Sequence, residues 1–406
     1  MIHYMTTQGV GDAWVGNELR IVLRDDIPVR LHALRRPAST YFTSPDIARL
    51  GAETNVLYDA GVPAVIAAFL AAPLRFGARF WSALGEALTG PRESLRVRAV
   101  AFWHLMLACH WAAGLRGQPV SHIHSQWIHS GGTVAMYGAW LLDRPYSFTG
   151  HAADLFRNRA ALTTKIRRAE FIICISEFHR QFFLEHGARP DQLFVVHCGI
   201  DTSHFAPNRR IRPDGAPFHV LSSGRLVGKK GFPVLIEAIR LLREAGEDVT
   251  CTIAGSGPDE AALRTQIAGA GLNDVVTLTG EALKQEDIPA FMATGDVYAL
   301  PCVWAADNDV DGLPQMLMEA MACGLPAVST RLVGIPDLIR DGETGLLVAP
   351  EDAPALSAAL LRLRDDADLA TRLAGAGRAI VEADFDINTC LEPLISRYRD
   401  ALETRT

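Results

Sequence analysis

Asp307-Asn-Asp309-Val-Asp311-Gly312-Leu313-Pro314-Gln-Met-Leu-Met-Glu319-Ala-Met-Ala-Cys-Gly324-Leu-Pro326-Ala-Val-Ser-Thr330, followed by Arg-Leu-Val-Gly-Ile-Pro336, is the stretch on which the reading of this chain turns. An acidic loop runs into Gly312. Pro314 suits the first turn of a helix, where a missing N–H costs nothing. The pattern predicts a helix through Glu319 to about Ala322. Gly324 can end it in the left-handed conformation. Pro326 to Thr330 then reads as a short buried strand. A helix start carries unpaired N–H groups and the positive end of the dipole, so it suits an anion or sugar hydroxyls.

The same alternation extends outward in both directions. Just before the stretch, Val297–Pro301 reads as a strand and 286–293 as a helix. Further back, a strand at His219–Ser222 leads into Gly224-Arg225-Leu-Val-Gly-Lys229-Lys230-Gly231, and another at Val249–Ala254 into Gly255-Ser-Gly257-Pro258. Beyond it come a last strand at Leu346–Val348 and helices near 352–364, 367–383 and 387–402. The first half repeats the scheme. A strand at Met1–Thr6, a loop with Gly9 and Gly11, and a helix from Ala13 that Asp12 can cap open it. Strands then follow at Pro28–Leu34, Val120–His124, Tyr146–Thr149, Phe171–Ile175 and Gln192–His197, with Tyr41–Leu57 mixed. Ser176 can cap the helix that runs to about His186. Alternating strands and helices imply parallel sheets with crossover helices. The Pro-, Gly- and Arg-rich run 207–217 is the expected domain boundary. Two doubly wound α/β domains follow, with a ligand cleft expected between their strand C-termini.

Composition bounds the function. The chain has 406 residues, enough for two domains, and a net charge of −7, which argues against general nucleic-acid binding. Its seven cysteines are scattered and form no C-x-x-C pair, so they read as core residues of a reducing compartment. The start, Met1-Ile-His-Tyr-Met5, has no basic leader, and no apolar run suits a spanning helix. A cytoplasmic protein is expected, with peripheral contact to the inner face of the membrane left open. Of 39 basic residues only four are lysine (165, 229, 230 and 284), so the adjacent pair Lys229-Lys230 marks a place for a compact ammonium.

Residues 61–120 differ from the rest. Phe69, Phe76, Phe80, Trp81, Phe102, Trp103 and Trp111 stand in an Ala/Leu background, with six arginines against Glu86 and Glu93. Two or three helices with exposed basic and aromatic faces are one reading, fitting anionic lipid or a lipid-linked acceptor. Ordinary helical core with solvated arginines is the other.

A calcium loop at Asp307, Asp309, Asp311 and Gly312 fails, because the required glutamate would fall at 318, which is Met. An Asp-x-Asp metal pair for a nucleotide diphosphate is a weaker alternative to the cationic reading. In that reading Arg225 and Lys230, just past a strand, supply fixed charge for a diphosphate without a metal. Glu319 can accept two ribose hydroxyls, and the backbone around Gly312, Leu313 and Gln315 can hold sugar or phosphate.

These motifs resemble the signatures of family-four retaining glycosyltransferases of the GT-B fold. In the first half His122-Ile-His124-Ser-Gln-Trp127, Ser147-Phe-Thr-Gly-His151-Ala-Ala-Asp154-Leu-Phe156, Ile175-Ser-Glu177 and Gly199-Ile-Asp201 are similar to bacterial exopolysaccharide enzymes of the colanic-acid type. The resemblance implies an acceptor domain over 1–207, a nucleotide-sugar domain over 217–385, and a final helix near 386–403 that crosses back onto the first. It implies transfer from a nucleotide-diphosphate sugar to a glycan or lipid-linked acceptor, with retained anomeric configuration and no required cofactor or metal. Arg225 and Lys230 would hold the diphosphate, Asp311 the donor sugar, Glu319 the ribose. Gly9 and Gly11 would admit the donor to the backbone, and His151 would stand by the transferred sugar, with His129 and Asp154 as further candidates. The family pattern has Glu where this chain has Asp311. A nucleotide-sugar epimerase and a non-catalytic sugar-nucleotide-binding partner are the rival readings.

Overall fold

The computed structural model describes residues 1–11, 13–37, 44–92, 94–151, 155, 161–207 and 212–404. The chain divides into two compact units, Met1–His197 with Leu391–Thr406, and Cys198–Cys390.

The first unit is built on seven parallel strands: β1 (Ile2–Thr6), β2 (Val29–Ala33), β3 (Asn55–Val56), β4 (His122–Ser125), β5 (Tyr146–Gly150), β6 (Phe171–Cys174) and β7 (Leu193–Val195). Their order across the sheet is β3-β2-β1-β4-β5-β6-β7. The helices are α1 (Ala13–Arg24), α2 (Pro45–Ala52), α3 (Val62–Phe76), α4 (Ala78–Thr89), α5 (Leu95–Leu115), α6 (Ser130–Leu142), α7 (Leu162–Arg168) and α8 (Glu177–Glu185). Central strands of a parallel sheet are covered on both faces, and β1 is buried at every position. β4 reads His-Ile-His-Ser and is equally buried. Its polar side chains are tolerated because they are paired: His122 Nε2 lies 2.6 Å and His124 Nδ1 2.8 Å from Ser147 Oγ on the neighbouring strand. The Ser176 hydroxyl caps α8 by accepting from the His179 N–H. The proposed Asp12 cap of α1 lies outside the described residues. β3, two residues long, was beyond any periodicity argument.

The 61–120 segment forms three helices, and its side chains depart from the exposed-aromatic expectation. Phe76, Phe80 and Trp111 are buried, Phe69, Phe102 and Trp103 are half-buried, and only Trp81 of that set is exposed. Nor is Arg92 solvated. Its guanidinium lies 2.9 Å from Glu86, whose carboxylate also accepts from Tyr137 at 2.6 Å and Thr164 at 2.7 Å. Burial opposes the Glu86 charge, but these donors outweigh it and hold the carboxyl below its usual range. The cluster ties α4 to α6 and α7.

The second unit carries six parallel strands: β8 (Phe218–Ser223), β9 (Val249–Ala254), β10 (Val276–Leu278), β11 (Val297–Leu300), β12 (Ala327–Thr330) and β13 (Leu346–Val348), in the order β10-β9-β8-β11-β12-β13. Its helices are α9 (Phe232–Glu244), α10 (Glu260–Gly269), α11 (Ile288–Met292), α12 (Gln315–Ala322), α13 (Ile335–Leu338), α14 (Ala353–Asp365), α15 (Ala367–Asp384) and α16 (Ile387–Cys390). Residues 198–207 group with this unit, ahead of the 207–217 run where the sequence put the boundary. The reason is local pairing. Ile200 N–H donates to Phe385 O at 2.9 Å, Ile387 N–H returns to Ile200 O at 2.9 Å, and the Thr202 N–H donates to Asp386. The last helix, α17 (Glu392–Glu403), belongs to the first unit, where Tyr398 is fully buried beside His124 and Arg397 stacks over Phe194.

Both strand orders reverse once, between β1 and β4 in the first unit and between β8 and β11 in the second. Loops leaving the strand C-termini at such a reversal diverge to opposite faces and open a crevice for ligand. The loops in question are Thr7–Gly11 and Gln126–His129 in one unit, and Gly224–Gly231 and Pro301–Gly312 in the other.

Candidate active site

In the second unit, the loop after β8 meets the loop after β11 side by side. Lys230 Nζ lies 2.6 Å from Asp311 Oδ2, and Lys229 Nζ lies 3.0 Å from Asp311 Oδ1 and 3.4 Å from Asp309 Oδ2. The Val303 N–H donates to Lys229 O at 3.0 Å. Glycines allow this approach. Gly231 has φ +69°, and a Cβ there would stand 1.8 Å from Pro301 O. Gly255, at φ +154°, would put a Cβ 1.9 Å from Gly224 O. The Gly255-Ser-Gly257 motif therefore serves to seat the Arg225 loop: Leu226 N–H donates to Ser256 O at 3.0 Å and Gly224 N–H to Ala254 O at 2.9 Å.

The charges are set by this packing. Burial pushes the Asp311 carboxyl up, but the ammoniums of Lys230 and Lys229 together outweigh it and hold it below the usual range. Burial likewise opposes the Lys230 charge, and Asp311 more than restores it. Glu319, one turn into α12, is different. It is buried, and desolvation pushes it up to about 7 against the Gln285 hydrogen bond and the Lys230 charge. Gln285 Nε2 donates to its Oε1 at 3.2 Å, while Oε2 has no hydrogen-bond partner among the described residues. Gly312 and Leu313 are buried beside the loop, and Gly312 O accepts from Gly334 N–H. Arg225 shares the loop with Lys230 yet is exposed and contacts no acidic group among the described residues. The structure thus brings Lys230, Asp311 and Glu319 together and leaves Arg225 extended from the same loop. Lys229 and Gln285 join them without having been assigned there. The lysine doublet was the available signal for the first, and the second had none.

In the first unit the corresponding loops carry rings. His151 follows β5, with Trp14 of α1 at 4.4 Å and Trp127 at 4.8 Å between ring centroids. Trp127 also stacks on His129, and the His129 Nδ1 caps α6 by accepting from Ser130 N–H at 2.6 Å. Burial holds His151 neutral, down to about 3, despite a hydrogen bond from its ring to the Gln126 carbonyl. Its Nε2 is buried and has no partner among the described residues. Gly9 takes φ +60°, and a Cβ on Gly11 would press Pro37 at 3.0 Å and Gln8 O at 3.1 Å. Both glycines thus shape the turn itself. Asp154 and Phe156 lie outside the described residues.

Beneath these rings lies a polar network that the sequence did not disclose. The Tyr4 hydroxyl is 2.6 Å from Glu18 Oε1 and 2.5 Å from Gln126 Oε1, and Gln126 Nε2 donates to Glu18 Oε2 at 3.0 Å. One phenolic proton cannot serve both oxygens, so a proton on Glu18 completes the ring of donors. Burial indeed pushes Glu18 up to about 7.

Two doubly wound units with glycine-lined loops at their reversals define the GT-B class. Anabaena Alr3699/HepE, solved in complex with UDP, has the same fold, with a TM-score of 0.69 at 18% identity over 98% of this chain and 99% of that one. The family model described as Glycosyltransferase Family 4 matches residues 62–204, and that described as Glycosyl transferases group 1 matches 208–380. The chain belongs to the family-four glycosyltransferases. It is 37% identical over 243 residues to the amylovoran biosynthesis glycosyltransferase AmsK of Erwinia amylovora, covering 58% of this chain and 59% of that relative. It is also 37% identical over 221 residues to WcaL of Escherichia coli, which is named for colanic acid biosynthesis, covering 54% of each. The chain thus spans little more than half the length of the curated relatives it matches.

Proposed function

We propose that this chain is a retaining glycosyltransferase. It moves a sugar from a nucleoside-diphosphate donor to a glycan or lipid-linked acceptor in the synthesis of an exopolysaccharide or other cell-surface polysaccharide. The relatives named for amylovoran and colanic acid biosynthesis support the polysaccharide setting, and the UDP bound by a structural neighbour supports the donor class. The observation that carries the reading is the pair of half-buried ammoniums on Asp311 at the strand reversal of the second unit. A diphosphate entering there takes over Lys230 and recruits Arg225. Asp311 is then released toward the sugar hydroxyls, and the Glu319 carboxylate accepts the ribose hydroxyls.

The bond from the anomeric carbon to the diphosphate oxygen breaks, and its electron pair leaves on the diphosphate, which the fixed cations stabilise. The acceptor hydroxyl adds to the same face of the oxocarbenium-like sugar and passes its proton to the departing phosphate oxygen. His151, neutral and with a free Nε2 lone pair, is assigned to a sugar hydroxyl. The chemistry calls on no metal or other cofactor. The site of action on this reading is the cytoplasmic face of the membrane.

A donor screen tests it: nucleoside-diphosphate release is followed for a panel of nucleotide sugars, with and without lipid extract. Release that needs both a donor and an acceptor supports transfer. Interconversion of donors with no acceptor present identifies an epimerase, and binding without turnover on any acceptor identifies a non-catalytic partner.

A further inference from the structure

Helix α3 is apolar on the wrong side. Its inward positions are mostly small: Val65, Ala68, Ala72 and Phe76. Its outward row is Val62, Ile66, Leu70 and Leu74, spaced four residues apart, with Leu70 71% and Leu74 94% exposed. A surface helix in water shows the reverse, and one that is apolar all round is normally covered. The neighbouring helices continue the pattern, with Trp81 60% exposed on α4 and Leu95 84% exposed at the start of α5. Nine of the eleven large exposed apolar side chains among the described residues lie between Tyr58 and Val100. Such concentration marks an interaction surface.

The charges around it say what covers it. Arg75 at the end of α3, Arg96 in the first turn of α5 and Arg116 just past its end are exposed and have no carboxylate partner among the described residues. Among the described residues the acidic groups of and next to the segment are already used: Glu86 is closed around Arg92, and Asp59 is paired with Arg36 at 2.6 Å. An apolar ridge with basic flanks fits a lipid surface of negative charge. Span is excluded by length, since 15 residues of helix reach roughly 22 Å against a hydrocarbon core of about 30 Å. No described helix is long and apolar enough to cross a membrane. The Glu86–Arg92–Tyr137 cluster anchors the α4 side of this layer to α6.

We propose that α3, with Trp81 and Leu95, is an in-plane anchor that seats the first unit on an anionic lipid bilayer. Leu70, Leu74 and Trp81 enter the acyl boundary, and Arg75, Arg96 and Arg116 meet the phosphate headgroups. The proposal goes beyond the transfer reaction and does not depend on it.

The test uses the full chain and vesicles of phosphatidylcholine alone or mixed with phosphatidylglycerol, separated by flotation. The chain is expected to float with the anionic vesicles and to be released by high salt. Leu70→Ser with Leu74→Ser should lower binding at least about tenfold, and Arg75→Gln with Arg96→Gln should abolish the preference for phosphatidylglycerol. All four positions are exposed, so unchanged far-UV dichroism and melting are expected to accompany the loss. Failure of the wild type to float overturns the proposal, as does flotation indifferent to both pairs of substitutions. Sedimentation equilibrium showing a wild-type dimer that Leu70→Ser/Leu74→Ser makes monomeric assigns the surface to a second copy instead.

Discussion

The two units build the same topology and place opposite chemistry at its reversal. In the second unit, ions gather: Lys229 and Lys230 against Asp309 and Asp311, with Glu319 beside them. In the first, neutral rings gather: Trp127 and His129 in the equivalent loop, with Trp14 of α1 and His151 after β5 against Trp127. Strand order decides where a ligand lies, and it is indifferent to what the ligand is. Side chains alone make one crevice suited to a diphosphate and the other to the face and hydroxyls of a sugar. Aromatic faces and uncharged hydrogen-bonding groups bind sugars without the desolvation cost of a buried ion.

Lys230→Ala breaks the comparison most severely. It removes the ammonium in closest contact with Asp311 and, on the proposed mechanism, the fixed charge that stabilises the leaving group. Transfer should fall by about two to four orders of magnitude. Lys229 remains to pair Asp311, so the melting temperature should change little. Retention of near-native nucleoside-diphosphate release would remove Lys230 from the mechanism. His151→Ala tests the neutral side. Loss of one uncharged hydrogen bond to the sugar should cost about 10- to 100-fold in kcat/KM. Because burial keeps the imidazole neutral down to about 3, no limb of the pH–rate profile between pH 5 and 8 should disappear with it. A lost limb would show that His151 works as an acid or base.

Glu319 supplies the contrasting pH behaviour. Its carboxyl is pushed up to about 7 by burial, so it is protonated below that pH and ionised above. An ionised carboxylate accepts ribose hydroxyls better, hence kcat/KM for the donor should fall several-fold as pH drops through about 7. Glu319→Gln should flatten that limb. Stability runs the other way. A folded-state value above the unfolded one adds stability that is complete below about 4.3 and is lost as pH rises through 7. Donor use and thermal stability should therefore move in opposite directions between these limits, and both dependences should weaken in Glu319→Gln.

The contrast between the units also marks how far the sequence could be read. The parallel sheets came from apolar strands alternating with glycine-punctuated loops, and most strand limits agree within a residue or two. The ionic crevice was legible because Gly224–Gly231 and Asp311–Glu319 each concentrate their signal in one run. The neutral crevice was only half legible. His151 stands out after a strand, but Tyr4, Glu18 and Gln126 meet across more than a hundred residues, and each alone looks ordinary. Gln285 reaches Glu319 in the same way. Residues 61–120 show a subtler limit. Composition flagged the segment, but the aromatics that drew notice are mostly inside, and a plain valine, isoleucine and two leucines form the exposed row. Periodicity identifies a helix's faces only when they differ, and α3 is apolar on both.

The finest distinction concerns Asp311 itself, which stands where the family pattern has Glu. Each of its oxygens meets a different lysine, Oδ1 with Lys229 at 3.0 Å and Oδ2 with Lys230 at 2.6 Å. Asp311→Glu adds one methylene to a largely covered side chain held between two lysines, and such insertions strain their surroundings. The longer arm keeps the charge, so the ion pairs re-form at the cost of a shifted loop. We expect donor KM to rise about two- to threefold with kcat nearly unchanged, the signature of altered ground-state binding. Asp311→Asn keeps the length and removes the charge, leaving two ammoniums with one less counter-ion in a buried place; it should lower stability as well as activity. An Asp311→Glu enzyme about tenfold faster than the native one would reverse the reading, for the shorter carboxylate would then be a handicap in reaching the sugar. Near-equality would show that the two lysines, and not the family's usual chain length, fix where this carboxylate stands.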